Sequence, residues 1–105
     1  MKYDTHTTSK PCSVARTLQI IGSKWTSLLL HNLFDGKKRF GQLQSAMEGI
    51  SPKILSQRLQ QLEKEGIITK HVFAEVPPRV EYELTDKGRS LAQVFIKMAQ
   101  WGGRY

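Results

Sequence analysis

A single cysteine, Cys12, stands in a chain of 105 residues, which excludes an internal disulfide framework. The three histidines, His6, His31 and His71, have no ligand-like spacing to one another or to Cys12, so no metal site is expected. No apolar run approaches the roughly 18 residues of a membrane span, and no membrane partner is expected. Met1 to Lys10 is polar and lacks an apolar h-region; a secretory signal is not expected, and a cytoplasmic location is. There is no G-x-S-x-G, P-loop or paired-carboxylate arrangement, and the histidine nearest Cys12 in sequence, His6, falls in the tail. The chain therefore reads as a non-enzyme without a cofactor; a small thiol enzyme built on Cys12 would lack a catalytic partner.

Acids are scarce too. Nine Asp and Glu face sixteen Lys and Arg, a net charge of +7, which draws the chain toward a polyanion, most simply nucleic acid. Between Lys37 and Arg58 the bias sharpens: Lys37, Lys38, Arg39, Lys53 and Arg58 against Glu48 alone. The length fits one domain, which buries roughly two-thirds of its unfolded surface and can hold one core.

Residues 1–11 read as a flexible tail, with Pro11 opening the first helical pattern. Val14, Leu18 and Ile21 recur at helical spacing until Gly22, and the pattern restarts at Lys24 with Trp25, Leu28, Leu29 and Leu33. Asp35-Gly36 ends it, Gly36 suiting a left-handed C′ position. Lys37 to Phe40 is a short extended piece. A helix over about Gly41 to Met47 turns Leu43 and Met47 inward, and Glu48-Gly49-Ile50 makes a tight turn. The next helix start is marked three times: Ser51 at N-cap, Pro52 at N1, and Ile50 placed to pack on Leu55 as a hydrophobic staple. This helix, about residues 51–65, has a stripe of Leu55, Leu59 and Leu62. Its other face carries Lys53, Ser56, Gln57, Gln60, Gln61 and Lys64.

After Gly66 the period changes to two. Ile67 to Val76 reads as a strand, Pro77-Pro78 as a turn, and Val80, Tyr82 and Leu84 alternate with Glu81 and Glu83, making a hairpin with Arg79 at its tip. Thr85 caps a last helix, over about residues 85–101, whose apolar positions are Leu91, Val94, Phe95, Met98 and Trp101. Trp25, Phe40, Tyr82 and the leucines are expected in the core. A short helix, a turn and a capped helix followed by a hairpin form a winged helix-turn-helix. The fold class is α+β, mainly α, with a C-terminal dimerisation helix and one domain over residues 12–105.

The physical logic points to double-stranded DNA. A major groove about 12 Å wide admits one helix, which needs an apolar back and an acid-poor polar front. Residues 51–65 supply both, with Glu63 and Glu65 only at the far end. The N-terminal half of a reading helix usually meets base edges; here that half is Lys53, Ser56, Gln57 and Gln60, with Ser51 at its start. Gln pairs with adenine and Lys reaches guanine. Arg58 lies near the leucine stripe and suits a phosphate better than a base. Lys24, Lys38 and Arg39 are further phosphate candidates. Arg79 at the wing either enters a minor groove or follows phosphates; the alternative is a turn arginine paired with Glu75 or Glu81.

The stretches Cys12 to Leu18, Ile21 to Trp25, Lys38 to Leu43, Ile50 to Leu59 and Glu75 to Thr85 together resemble the HxlR-type winged-helix transcriptional regulators. The resemblance implies a homodimer joined through its first and last helices, and binding to a pseudo-palindromic operator. Val14, Leu18, Leu91, Val94, Phe95, Met98 and Trp101 are the candidate dimer residues. It also implies, for some members, an oxidant- or electrophile-sensing cysteine at the start of the first helix. Cys12 is the candidate, with Arg16 one turn on; helix N-termini and nearby cations favour the thiolate. The other reading of Cys12 is a small half-buried bystander. A repressor is expected over an activator. The competing reading is a winged-helix protein-interaction module without specific DNA binding, since fold alone does not settle function.

Overall fold

The computed structural model describes residues 12–105; the expected tail and the opening role of Pro11 lie outside the described residues. Six helices and three strands follow in the order α1 (Ser13–Ile21), α2 (Lys24–Leu33), β1 (Lys38–Arg39), α3 (Phe40–Ala46), α4 (Pro52–Lys64), β2 (Ile68–Phe73), β3 (Arg79–Leu84), α5 (Asp86–Arg89) and α6 (Ala92–Arg104). The molecule measures 54 × 33 × 23 Å. Among the described residues no helix is long and apolar enough to cross a membrane.

Hydroxyls set three of the helix starts. The Ser23, Ser51 and Thr85 oxygens accept from the N–H groups of Thr26, Ile54 and Gly88, each at 3.1 Å, satisfying donors that no helical carbonyl can reach. α3 begins differently: the Arg39 N–H donates to the Gln42 side-chain oxygen at 2.8 Å.

The core is a sheath of leucines between α2, α3, α4 and the sheet. Leu29, Leu30, Leu33, Leu43, Met47, Leu55, Leu59, Leu62 and Ile67 are fully buried. Burying such a side chain is worth about 1.5–3 kcal/mol, so this set carries most of the fold's stability. Leu28 departs from expectation: it is exposed, and Leu18 is exposed as well. The inward stripe of α2 is shifted by one residue, to Thr26, Leu29, Leu30 and Leu33, a strict i, i+3, i+4, i+7 set. Thr26 enters the core because its hydroxyl oxygen accepts from the Ser23 hydroxyl at 2.9 Å, so no polar atom is stranded.

The sheet has the order β1-β3-β2, antiparallel throughout. β2 and β3 pair from Ile68↔Leu84 to Phe73↔Arg79, and β1 sets Lys38 opposite Tyr82 and Arg39 opposite Glu81. The first hairpin strand is shorter than expected, ending at Phe73, and Val76 is wholly exposed in the connection. Pro77 and Pro78 have no N–H to extend the ladder, and the Glu75 N–H turns back onto the Phe73 carbonyl at 2.9 Å.

The last helix is also not continuous. It is split into α5 and α6 at Ser90-Leu91. The Ser90 hydroxyl takes the Lys87 carbonyl, and the Leu91 N–H closes a tighter turn onto the Gly88 carbonyl at 3.1 Å. α6 has no fully buried residue.

Candidate nucleic-acid interface

The site is built outward from α4. Leu55, Leu59 and Leu62 anchor its back in the core. Opposite them Lys53, Ser56, Gln57, Gln60, Gln61 and Lys64 are all exposed, at positions that recur every three or four residues along one face. The six residues of the row include no acid, and the exposed Glu63 borders it only at its C-terminal end. Arg58 sits at the border of the two faces and is half-buried. Ser51 caps the helix, its oxygen accepting from the Ile54 N–H at 3.1 Å, which leaves its proton and a second lone pair for a ligand.

Two features hold α4 forward. The turn from α3 closes with the Ile50 N–H on the Met47 carbonyl at 3.1 Å. Gly49 within it has φ +89°, a region that side chains resist, so glycine is needed there. Ile50 and Leu55, the expected staple pair, are both buried in the same core cluster.

Beside α3 lies a polar cleft of about 440 Å³, lined by Lys37, Lys38, Arg39, Gln42 and Glu81. Arg39 is exposed, and its Nε is 4.0 Å from Glu81 Oε2. Lys37 was not among the expected site residues; its position in a run of three cations was the signal that marks it. Lys24 is exposed at the start of α2, with its ammonium 5.4 Å from the centre of the Trp25 ring.

Arg79 does not stand free at the tip. It opens β3 with its side chain 31% exposed. Its Nη2 lies 3.2 Å from Glu75 Oε2 and its Nε 3.7 Å from Glu81 Oε2. That second distance is too long for a hydrogen bond, and the buried Nε has no hydrogen-bond partner among the described residues. Glu81 thus faces both Arg39 and Arg79, and links the strand ahead of α3 to the wing. The pairing of Arg79 with Glu75 or Glu81 is the alternative reading of the sequence; that Glu81 also faces Arg39 depends on the register of three strands.

The surfaces expected to pair lie elsewhere. On α1, Val14 and Leu18 are exposed. Leu91, Val94 and Phe95 are half-buried against the core, Phe95 meeting Phe34 edge-on with ring centres 5.6 Å apart. Met98 and Trp101 are 49% and 67% exposed, and Trp101 packs on Tyr105 at 5.3 Å. Cys12 is half-buried at the N-cap of α1; its carbonyl accepts from the Arg16 N–H at 3.0 Å.

The described geometry has parallels among known proteins. The family model described as HxlR-like helix-turn-helix matches residues 20–105. The chain is 45% identical over 94 residues to YdeP of Bacillus subtilis, an uncharacterized HTH-type transcriptional regulator, covering 90% of this chain and 73% of that one. A structure described as a MarR-family transcriptional regulator, from Enterococcus faecalis V583, superposes with a TM-score of 0.85 at 38% identity, covering 97% of this chain and 93% of its own. The redox regulator HypR in its oxidized form superposes with a TM-score of 0.82 at 39% identity, covering 90% of this chain and 97% of its own.

Proposed function

The chain belongs to the HxlR-like helix-turn-helix family of DNA-binding transcriptional regulators, and from that premise we propose that it grips a pseudo-palindromic operator as a homodimer. Each protomer lays α4 in a major groove, with the two grooves one helical turn apart. The observation that carries this reading is the exposed row of Lys53, Ser56, Gln57, Gln60, Gln61 and Lys64, with Glu63 only at its far end, on a helix whose other side is locked in the core. Lys53, Gln57 and Gln60 read base edges, while Ser51, Ser56 and Arg58 steady the helix on the backbone. Lys24, Lys37, Lys38 and Arg39 neutralise phosphates. Arg79 reaches a phosphate by giving up Glu75. Such a role places the chain in the cytoplasm, with the DNA.

The pairing surface joins α1 to α6 and its N-cap: Val14 and Leu18 on one side, Leu91, Val94, Phe95, Met98 and Trp101 on the other. Repression by occlusion of a promoter needs only the reading and pairing surfaces that residues 12–105 supply. Cys12 then serves as the switch, with Arg16 beside it. Its sulfur attacks a small disulfide, forming a mixed disulfide and releasing the other half as a thiolate. The added group sits in the pairing surface and shifts the two reading heads. Its support is the placement of Cys12 at the head of α1 and the likeness to the redox regulator HypR.

Footprinting on the DNA flanking its own gene tests this. The native chain protects two half-sites; Lys53→Ala with Gln57→Ala leaves no preferred site, and a small disulfide changes the pattern in the native chain but not in Cys12→Ser. An unchanged footprint from the double variant would show that α4 does not read the site.

A further inference from the structure

Three successive carbonyls at the end of α4 are held by a segment about twenty residues away in the chain. The Lys87 ammonium donates to the Glu65 carbonyl at 2.9 Å. The Thr85 hydroxyl lies 2.6 Å from the Gly66 carbonyl oxygen and 3.1 Å from that of Ile67. The Thr85 N–H donates to the Ile67 carbonyl at 3.0 Å. Glu65 is the C-cap of α4, so the Lys87 charge also meets the negative end of the helix dipole. The joint is tight as well as bonded. A Cβ placed on Gly88 would lie 2.2 Å from the Ile67 oxygen and 3.0 Å from a Leu84 methyl, so only glycine lets α5 approach this closely. Arg89 closes the far side, donating to the Leu84 carbonyl at 2.8 Å and pairing with Asp86 at 2.6 Å.

The segment that grips α4 is the start of the path to α6. α5 contains Lys87, Gly88 and Arg89, and α6 begins three residues after it ends. We infer that Lys87 is a positioning residue: with Thr85 it fixes the angle between the DNA-reading helix and the pairing helix. It thereby sets the half-site spacing that the dimer accepts. The inference rests on the reading of the chain as a paired DNA-binding regulator. Lys87 touches no DNA in this scheme; it acts through the orientation of α4. Lys87 is exposed, and Lys87→Met, which keeps an unbranched side chain of similar length, is chosen to remove the donor.

The test uses duplexes selected by the native chain from a random-sequence pool. Affinity is measured for the selected duplex, for versions with the half-sites moved one base pair closer or further apart, and for a version with one half-site scrambled. The native chain prefers one spacing. Lys87→Met keeps its affinity for the single half-site within about twofold and loses about tenfold of its preference for the native spacing, the scale of one charge-assisted hydrogen bond. Lys87→Arg restores the preference, because its guanidinium can donate to the same carbonyl. A Lys87→Met chain with an intact spacing preference overturns the inference. So does one that loses single-site and paired-site affinity in equal proportion, which assigns Lys87 to the stability of α4 alone. A native chain that selects no duplex, or only single half-sites, overturns the paired DNA-binding reading itself.

Discussion

The guanidinium carbon of Arg79 lies 4.0 Å from the centre of the Phe73 ring, directly across the last rung of the β2–β3 ladder. The ring faces the cation on one side while Glu75 and Glu81 meet its nitrogens on the others. An arginine so enclosed stiffens the tip of the wing before it meets any ligand. The ladder can stop at Phe73 without fraying because this pair closes it.

Removing either member should loosen the hairpin. Phe73→Ala and Arg79→Ala are each expected to cost about 1 kcal/mol, and the double variant less than their sum, because the two share one interaction. Denaturant unfolding of all four chains measures the difference.

In the proposed complex Glu75 would compete with phosphate for Arg79. Glu75→Gln is therefore expected to tighten DNA binding and steepen its salt dependence. Arg79→Ala should weaken binding and flatten that slope by about one unit. Titrations at several salt concentrations separate the two, and an unmoved slope for Arg79→Ala would remove it from the interface.

The two sides of α4 should fail in different ways. Leu59→Ala opens a hole in the core and is expected to cost about 3 kcal/mol of stability. Gln57→Ala, on the exposed side, should leave the unfolding midpoint in place and relax base preference at one operator position. Circular dichroism melts paired with binding to single-base operator variants distinguish them.

Met98→Glu with Trp101→Glu puts like charges on the exposed half of the α6 face. The double variant is expected to sediment as a monomer, to lose the concentration dependence of the native melting temperature, and to bind one half-site but not two. A native chain that is already monomeric at working concentration would refute the pairing surface.

Tyr82 gives a pH prediction. Burial, and then the Glu63 carboxylate, raise its hydroxyl above the usual value of 10.0. The folded chain thus holds this proton more tightly than the unfolded chain does. The contribution is fully present below pH 10 and is lost as pH rises from there through the folded value. Tyr82→Phe should retain its stability further into alkali than the native chain, as read from urea midpoints between pH 9 and 11.

Much of this was legible in order and pattern. Ser51-Pro52 marked the start of α4 because a hydroxyl cap and a donor-free proline each have one preferred place there. The period-two run after Gly66 located the hairpin. The inward face of α2 was not legible, because Leu28, Leu29 and Leu30 are consecutive and composition cannot say which two turn inward. The packing of α3 and β3 decides that. The split at Ser90 was hidden for a related reason: an apolar pattern continues across it, and a single serine hydroxyl redirects the backbone. Within the site, the exposed row on α4 followed from helical spacing. The pairing of Arg79 with Glu75 or Glu81 is the alternative reading of the sequence; its contact with the Phe73 ring was not legible, since a hairpin's register is set by where its prolines stop the pairing.

The strand order β1-β3-β2 leaves β2 as one outer rim of the sheet. A rim of this kind offers unmatched peptide groups to any passing chain, and crowding favours lateral stacking there. Lys70, exposed midway along β2, places a charge where two such rims would have to meet. Lys70 shares a cross-strand row with Tyr82 and Lys38, and neutralising its amino group is expected to show first as turbidity.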